Sequence, residues 1–200
     1  MARSRIVSFA AKPVLSGDLV TLRPVEAADA AGLFAMDDES RRLTGSPRKE
    51  DDPDWTLENL QRWYGSRADH DDRIDLSIIE RATGEWAGEV VLNELNVRNE
   101  SCGFRIALQG RRFYGRGLGT EATRLVTDYA FGTVGVHRIE LQVYDFNPRA
   151  RHVYEVIGFV HEGTMRGALR WDGEWIDCHL MGMLASDWER ATGKDGGGRS

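Results

Sequence analysis

The residues from Tyr114 to Ala122 read Tyr-Gly-Arg-Gly-Leu-Gly-Thr-Glu-Ala, and their chemistry is that of an anion cradle. Glycines let backbone N–H groups turn toward one point, and the N-terminus of a following helix adds partial positive charge. Such a site suits phosphate. The loop fails the Walker A pattern, because Gly119-Thr120-Glu121 stands where Gly-Lys-Ser/Thr is needed. It also fails the dinucleotide fingerprint, because Thr120 takes the place of the third glycine after Gly115-x-Gly117.

The elements around this loop must position it. Leu19 to Arg23 alternates and reads as a strand stopped by Pro24. Glu26 to Met36 reads as a helix, Arg41 to Pro53 as a polar loop, and Asp54 as the N-cap of a helix running to about Ala68. Three strands follow, Ile74 to Arg81, Glu85 to Leu95 and Ser101 to Leu108. Beyond the loop, Ala122, Leu125, Val126, Tyr129 and Thr133 share one helical face. A strand over Arg138 to Tyr144 comes next. Asn147-Pro148 then caps and opens a helix with Ala150, Val153, Tyr154 and Ile157 on its apolar side, closed by Gly158. Strands over Phe159 to Met165 and Trp175 to Leu184 complete the order. The pattern predicts an α+β (mixed α/β) fold of about seven strands and four helices. It divides into an N-terminal segment 1–17, one domain 18–186 and a flexible C-terminal tail 187–200.

Composition excludes several classes. A net charge of −6 argues against a general nucleic-acid binder. The apolar stretches are too short for a membrane span, and Ile6 to Ala11 is too broken for a secretory signal, so the expected location is cytoplasmic. Cys102 and Cys178 form no disulfide framework and have no zinc-ligand spacing, and His137, His152, His161 and His179 match no motif. Charge is uneven. Glu26 to Glu80 holds 15 acidic and 7 basic residues, whereas Gly110 to Arg170 holds 6 acidic and 9 basic. That asymmetry predicts ligand ends of opposite sign, with cationic or neutral partners favoured over acidic ones at the acidic half.

The loop resembles the acyl-CoA pyrophosphate loop of GNAT N-acetyltransferases, Gln/Arg-x-x-Gly-x-Gly/Ala. Gly117 and Gly119 match its glycines, and Tyr114 stands at the Gln/Arg position. An aromatic there, followed by Thr120-Glu121-Ala122, is similar to the RimJ/RimL-like branch. Asn147-Pro148-Arg149-Ala150 through Tyr154 to Gly158-Phe159 resembles the family's Asn-x-x-Ser…Tyr…Gly-Phe segment, with Ala150 in the serine position.

The resemblance implies a mostly antiparallel sheet in which a splayed strand pair holds acetyl-CoA. Ile106, Ala107 and Leu108 would offer backbone to the pantetheine arm. Tyr114, Gly115, Arg116, Gly117, Leu118, Gly119, Thr120, Asn147 and Arg151 would contact the cofactor, with Arg111 and Arg112 as further phosphate partners. Asn147 also reads simply as a helix cap. Tyr154 would be the acid that protonates the leaving thiolate. Glu94 is the candidate base, Glu89 reads as a surface carboxylate, and Cys102 would be a poor base. The implied reaction is direct acetyl transfer to a primary amine, on a protein N-terminus or a small molecule, without metal, nucleic acid or membrane. A homodimer is among the assemblies it allows. The alternative readings are a non-catalytic acyl-CoA-binding module and, more weakly, a nucleotide-binding domain.

Overall fold

A computed structural model describes residues 7–46 and 52–193. Among them, eight strands form one sheet in the order β1-β2-β3-β4-β5-β6-β8-β7. The strands are β1 (Leu15–Ser16), β2 (Val20–Pro24), β3 (Ile74–Glu80), β4 (Trp86–Asn96), β5 (Ser101–Leu108), β6 (Arg138–Tyr144), β7 (Val160–Trp171) and β8 (Glu174–Leu184). Every neighbouring pair is antiparallel except β5 and β6. That parallel pair is bonded only where Ser101, Cys102 and Gly103 face Arg138, Ile139 and Glu140. Beyond it, β5 continues to Leu108 and β6 to Tyr144 without ladder partners between them. The sheet therefore opens into a cleft at its centre, which is the expected splayed pair.

Among the described residues, six α-helices accompany the sheet. They are α1 (Ala30–Phe34), α2 (Asp38–Leu43), α3 (Leu57–Gly65), α4 (Leu118–Asp128), α5 (Pro148–Ile157) and α6 (Ala185–Thr192). Ala122 and Val126 of α4, with Tyr154 and Ile157 of α5, pack on the same core as Ile74, Leu76, Ile139 and Leu141 of the sheet. A second cluster joins Ala30 and Leu33 of α1, Leu60 and Tyr64 of α3, and Ala107 of β5. The α3 N-cap is Thr56, two residues later than Asp54, and its hydroxyl accepts from the Asn59 N–H.

Several expectations need correction. Among the described residues the count rises from seven strands and four helices to eight and six, because β1 and α2 are too short to show a period and α6, though amphipathic, falls in the segment expected to be tail. The expected loop Arg41 to Pro53 begins inside α2, whose N-cap Asp37 accepts from the Ser40 N–H at 2.7 Å. Residues 47–51 of that loop lie outside the described residues. The segment before residue 18 is not separate from the core, since Val7 and Phe9 are buried in it. Lys12 fastens that segment by donating to the Phe9 and Arg73 carbonyls at 2.6 and 2.8 Å. The expected tail starts as helix α6. Its Trp188 lies 5.8 Å from the Phe131 ring and donates to Asp128 at 2.6 Å. Residues 194–200 of that tail lie outside the described residues.

Candidate active site

The cleft between β5 and β6 is a cavity of about 340 Å³. One bank is the free edge of β5 from Phe104 to Leu108, followed by the glycine loop. The other is the end of β6 and the start of α5. The loop turns into α4 at Gly117, the N-cap, whose φ of 80° is left-handed and favours glycine. No side chain caps this helix, so its first N–H groups face the cavity end without an internal partner. Glu121 instead ties the first turn to the sheet edge. Its carboxylate accepts the N–H groups of Asp18, Leu19 and Val20 at 2.8–2.9 Å. On the other bank, Asn147 caps α5 by accepting from the Ala150 N–H at 3.2 Å.

Helix α2 and its flanking residues cross the mouth of the cleft from bank to bank. On the β5 side, the Ser40 hydroxyl bonds the Tyr114 hydroxyl, Glu39 pairs with Arg111, and the Asp37 N–H donates to the Gln109 carbonyl at 3.3 Å. On the β6 side, Asn147 Nδ2 donates to the Leu43 carbonyl at 3.4 Å, and the Arg42 guanidinium lies 4.3 Å from the Phe146 ring. Gly45 has a φ of 70°, and a Cβ there would fall 2.4 Å from the Tyr144 ring. Ser40 and Leu43 line the cleft cavity, and Thr44 lines both this cavity and a second one.

The second cavity, of about 500 Å³, lies on the other side of Thr44. The two cavities also share Arg105 and Ala107 of β5. Glu89 of β4 pairs with Ala107 in the sheet and lines the second cavity. Its side chain is 2 % exposed. Its carboxylate accepts from the Tyr64 hydroxyl at 2.6 Å and pairs with Arg105 at 3.0 Å. Burial, with the adjacent Glu89 charge, pushes the Tyr64 pKa well up, which keeps its hydroxyl a donor. The walls are Leu33, Met36, Trp55, Leu60 and Trp63.

An acyl-CoA thioester carries a pyrophosphate and an extended amide arm. The uncapped α4 N-terminus and the free β5 edge offer what these two parts require. Residues 20–160 match the model of the acetyltransferase (GNAT) domain family. The chain belongs to the GNAT acetyltransferases. The probable N-acetyltransferase YjcK of Bacillus subtilis is 29% identical over 182 residues, covering 88% of this chain and 100% of the relative. The spermidine N(1)-acetyltransferase of Vibrio cholerae is 29% identical over 169 residues, covering 84% and 95%. The crystal structure of the Vibrio cholerae spermidine N-acetyltransferase in complex with CoA and spermine has the same fold. Its TM-score is 0.75 at 24% identity, over 86% of this chain and 99% of that one.

This GNAT chain is accordingly an acetyl-CoA-dependent N-acyltransferase, with acetyl-CoA as co-substrate. No group of His, Cys, Asp or Glu among its described residues could hold a metal ion. No helix among them is long and apolar enough to cross a membrane.

Ile106, Ala107, Leu108, Tyr114, Gly115, Gly117, Leu118, Gly119, Thr120, Asn147 and Tyr154 all line the cleft cavity. Tyr154 is buried, with its ring edge-on to Phe104 and Phe159 at 5.9 Å, and burial raises its pKa. Arg116 and Arg151 stand outside the lining, held by Glu80 and by Glu155. Arg111 is paired with Glu39, and Arg112 bonds Gln109 at 2.9 Å. Besides Arg105, the arginine that lines the cavity is Arg149, lying 4.1 Å from the Tyr114 ring. Its place beside the Asn147-Pro148 cap was the available signal. Glu94 is exposed, has a φ of 56° on the irregular end of β4, and lines neither cavity. Glu89, expected at the surface, is buried at the cavity junction instead. A five-residue spacing already points these two carboxylates to opposite faces of a regular strand, and the register change between Asn93 and Asn96 takes Glu94 out of the ladder as well.

Proposed function

We propose that the enzyme acetylates a primary amine by direct attack in a ternary complex, with the thioester in the cleft and the amine in the second cavity. The observation that carries this reading is the contact of the two cavities at Arg105 and Ala107, with Tyr154 on one and Glu89 on the other. The amine nitrogen bonds the acetyl carbon, and the carbon–sulfur bond breaks. Glu89 takes the proton that the nitrogen sheds, directly or through water, and Tyr154 offers its O–H to the departing sulfur. The raised pKa of Tyr154 keeps that proton on the ring through the working range. Among the predicted contacts, the glycine loop and the α4 N-terminus hold the pyrophosphate, and Ile106 to Leu108 hold the pantetheine arm. Arg149 supplies cation charge that Arg116 and Arg151 do not.

The RimJ/RimL-like resemblance favours a protein N-terminus as acceptor. So does a 32% match over 79 residues to the ribosomal protein uS5-alanine N-acetyltransferase of Escherichia coli, covering 40% of this chain and 41% of that enzyme. The spermidine acetyltransferase relatives favour a small amine. Thiol release from acetyl-CoA with a panel of amines and N-terminal peptides tests the reaction. Tyr154→Phe should lower kcat by about 100-fold while leaving acetyl-CoA affinity unchanged. Turnover within about threefold of the parent would make Tyr154 a packing residue.

A further inference from the structure

We infer that the acceptor is a monoamine carried on an apolar or aromatic body, and not a polyamine. This rests on the proposed function and narrows its substrate class. Among the described residues, the charged lining of the second cavity is balanced, with Asp52, Asp54 and Glu89 matched by Arg41, Arg62 and Arg105. Glu89 is paired with Arg105 at 3.0 Å and Asp52 with Arg41 at 3.8 Å, whereas Asp54 is exposed, where solvent and salt screen its charge, and Arg62 bonds Asn59. A polyamine that presents one neutral nitrogen to the thioester still carries further ammonium groups. Each needs a carboxylate that no guanidinium already neutralises, and each is repelled by the arginines beside it.

The aromatic walls give the same answer. An ammonium could instead rest on a tryptophan face. Here the Trp55 face carries Arg41, whose guanidinium lies 3.6 Å from the ring centroid. Trp63 is flanked by Arg67 at 4.6 Å and Arg73 at 5.9 Å. Of the remaining lining, Leu33, Met36, Leu60 and Ala107 are apolar and buried, beside the uncharged Thr44, Ser46 and Asn59. One buried carboxylate, Glu89, serves one amine, and the apolar walls serve the body attached to it. The acidic balance of Glu26 to Glu80 predicts cationic or neutral acceptors over acidic ones. Locally, the arginines cancel it.

The test uses matched pairs on the full chain. Hexylamine and 1,6-diaminohexane differ only in a terminal ammonium, and 2-phenylethylamine is set against spermidine. Both kcat/KM by thiol release and Kd by calorimetry on the CoA-loaded protein are measured. Each monoamine should show a kcat/KM about tenfold or more higher, and a Kd about tenfold or more lower, than its diamine or polyamine counterpart. Arg62→Glu, on the exposed side of α3, should narrow the hexylamine-to-diamine gap by about fivefold. Equal or reversed preference in the parent protein, or an unchanged gap in Arg62→Glu, would overturn the inference. Binding in the expected order with no turnover of any amine would leave it standing and refute acetyl transfer. Binding none of the four would overturn both.

Discussion

The two cavities are built by different means. The cleft proposed for the cosubstrate is largely backbone: a free strand edge, a glycine turn and a helix N-terminus. The cavity proposed for the acceptor is side chains from distant parts of the chain, with Glu89 from β4, Trp63 from α3, Arg105 from β5 and Arg41 from α2, and Tyr64 of α3 donating to Glu89. A backbone site recognises what every reaction of the family shares, and its geometry tolerates few residue types. A side-chain site recognises what is particular to one acceptor, and many residue sets could line it.

The sharpest way to break this division is to change one carboxylate on the acceptor side. Glu89→Gln keeps the shape and the bond from Tyr64 but removes the charge. It should lower kcat/KM for amines by about 100-fold or more, with acetyl-CoA affinity within about twofold of the parent. A parallel loss of acetyl-CoA binding in calorimetry would show that the cavities are not separable.

The converse change is Gly117→Asp. A carboxylate at the α4 N-cap would occupy the helix terminus that phosphate needs, and the left-handed φ adds strain. Acetyl-CoA affinity should fall by well over tenfold, about 1.4 kcal/mol or more. Gly117→Ala carries much of the strain without the charge, so the difference between the two variants isolates the anion site. Equal losses would argue for strain alone.

How much of each cavity was legible follows from this construction. Gly117, Gly119 and the Asn147-Pro148 cap are local devices, and local devices leave local spacing. They located the loop, the β5 end and the start of α5, and the family resemblance they carry supplied the splayed strands and Tyr154, while the α2 and β6 parts of the lining were not legible. Tyr114 was legible as a departure, but its use was not, because its hydroxyl partner Ser40 lies 74 residues away. The arginines were misassigned because Glu80, Glu39 and Glu155, which hold Arg116, Arg111 and Arg151, come from other elements or another turn. Glu89 looks like any strand carboxylate until β5 and α3 bring Arg105 and Tyr64 against it. Helix α2 escaped because its six residues, Asp-Glu-Ser-Arg-Arg-Leu, show no apolar stripe, and contacts across the cleft hold it.

The smallest expected effect lies at the closed end of the splay. Burial pushes the Cys102 thiol up to about 12 and also raises Cys178. Both cysteines are buried. At pH 8 the thiol form dominates, and thiolate appears only as pH climbs toward 12. A disulfide-exchange reagent at pH 8 should find no fast-reacting thiol in the folded protein and both cysteines after denaturation. A rapid reaction before denaturation would place one of them nearer solvent than the packing shows.

Thr44 ends helix α2 and walls both cavities, while Ser40 and Asn147 moor the two sides of that helix. A partition shared by two rooms makes their occupancies interdependent. Whatever factor a bound thioester applies to amine affinity, the bound amine must return to the thioester, because the coupling is a single free energy. The steady-state signature is a family of intersecting lines whose crossing point lies off the axis, at a height that reports which way the partition leans.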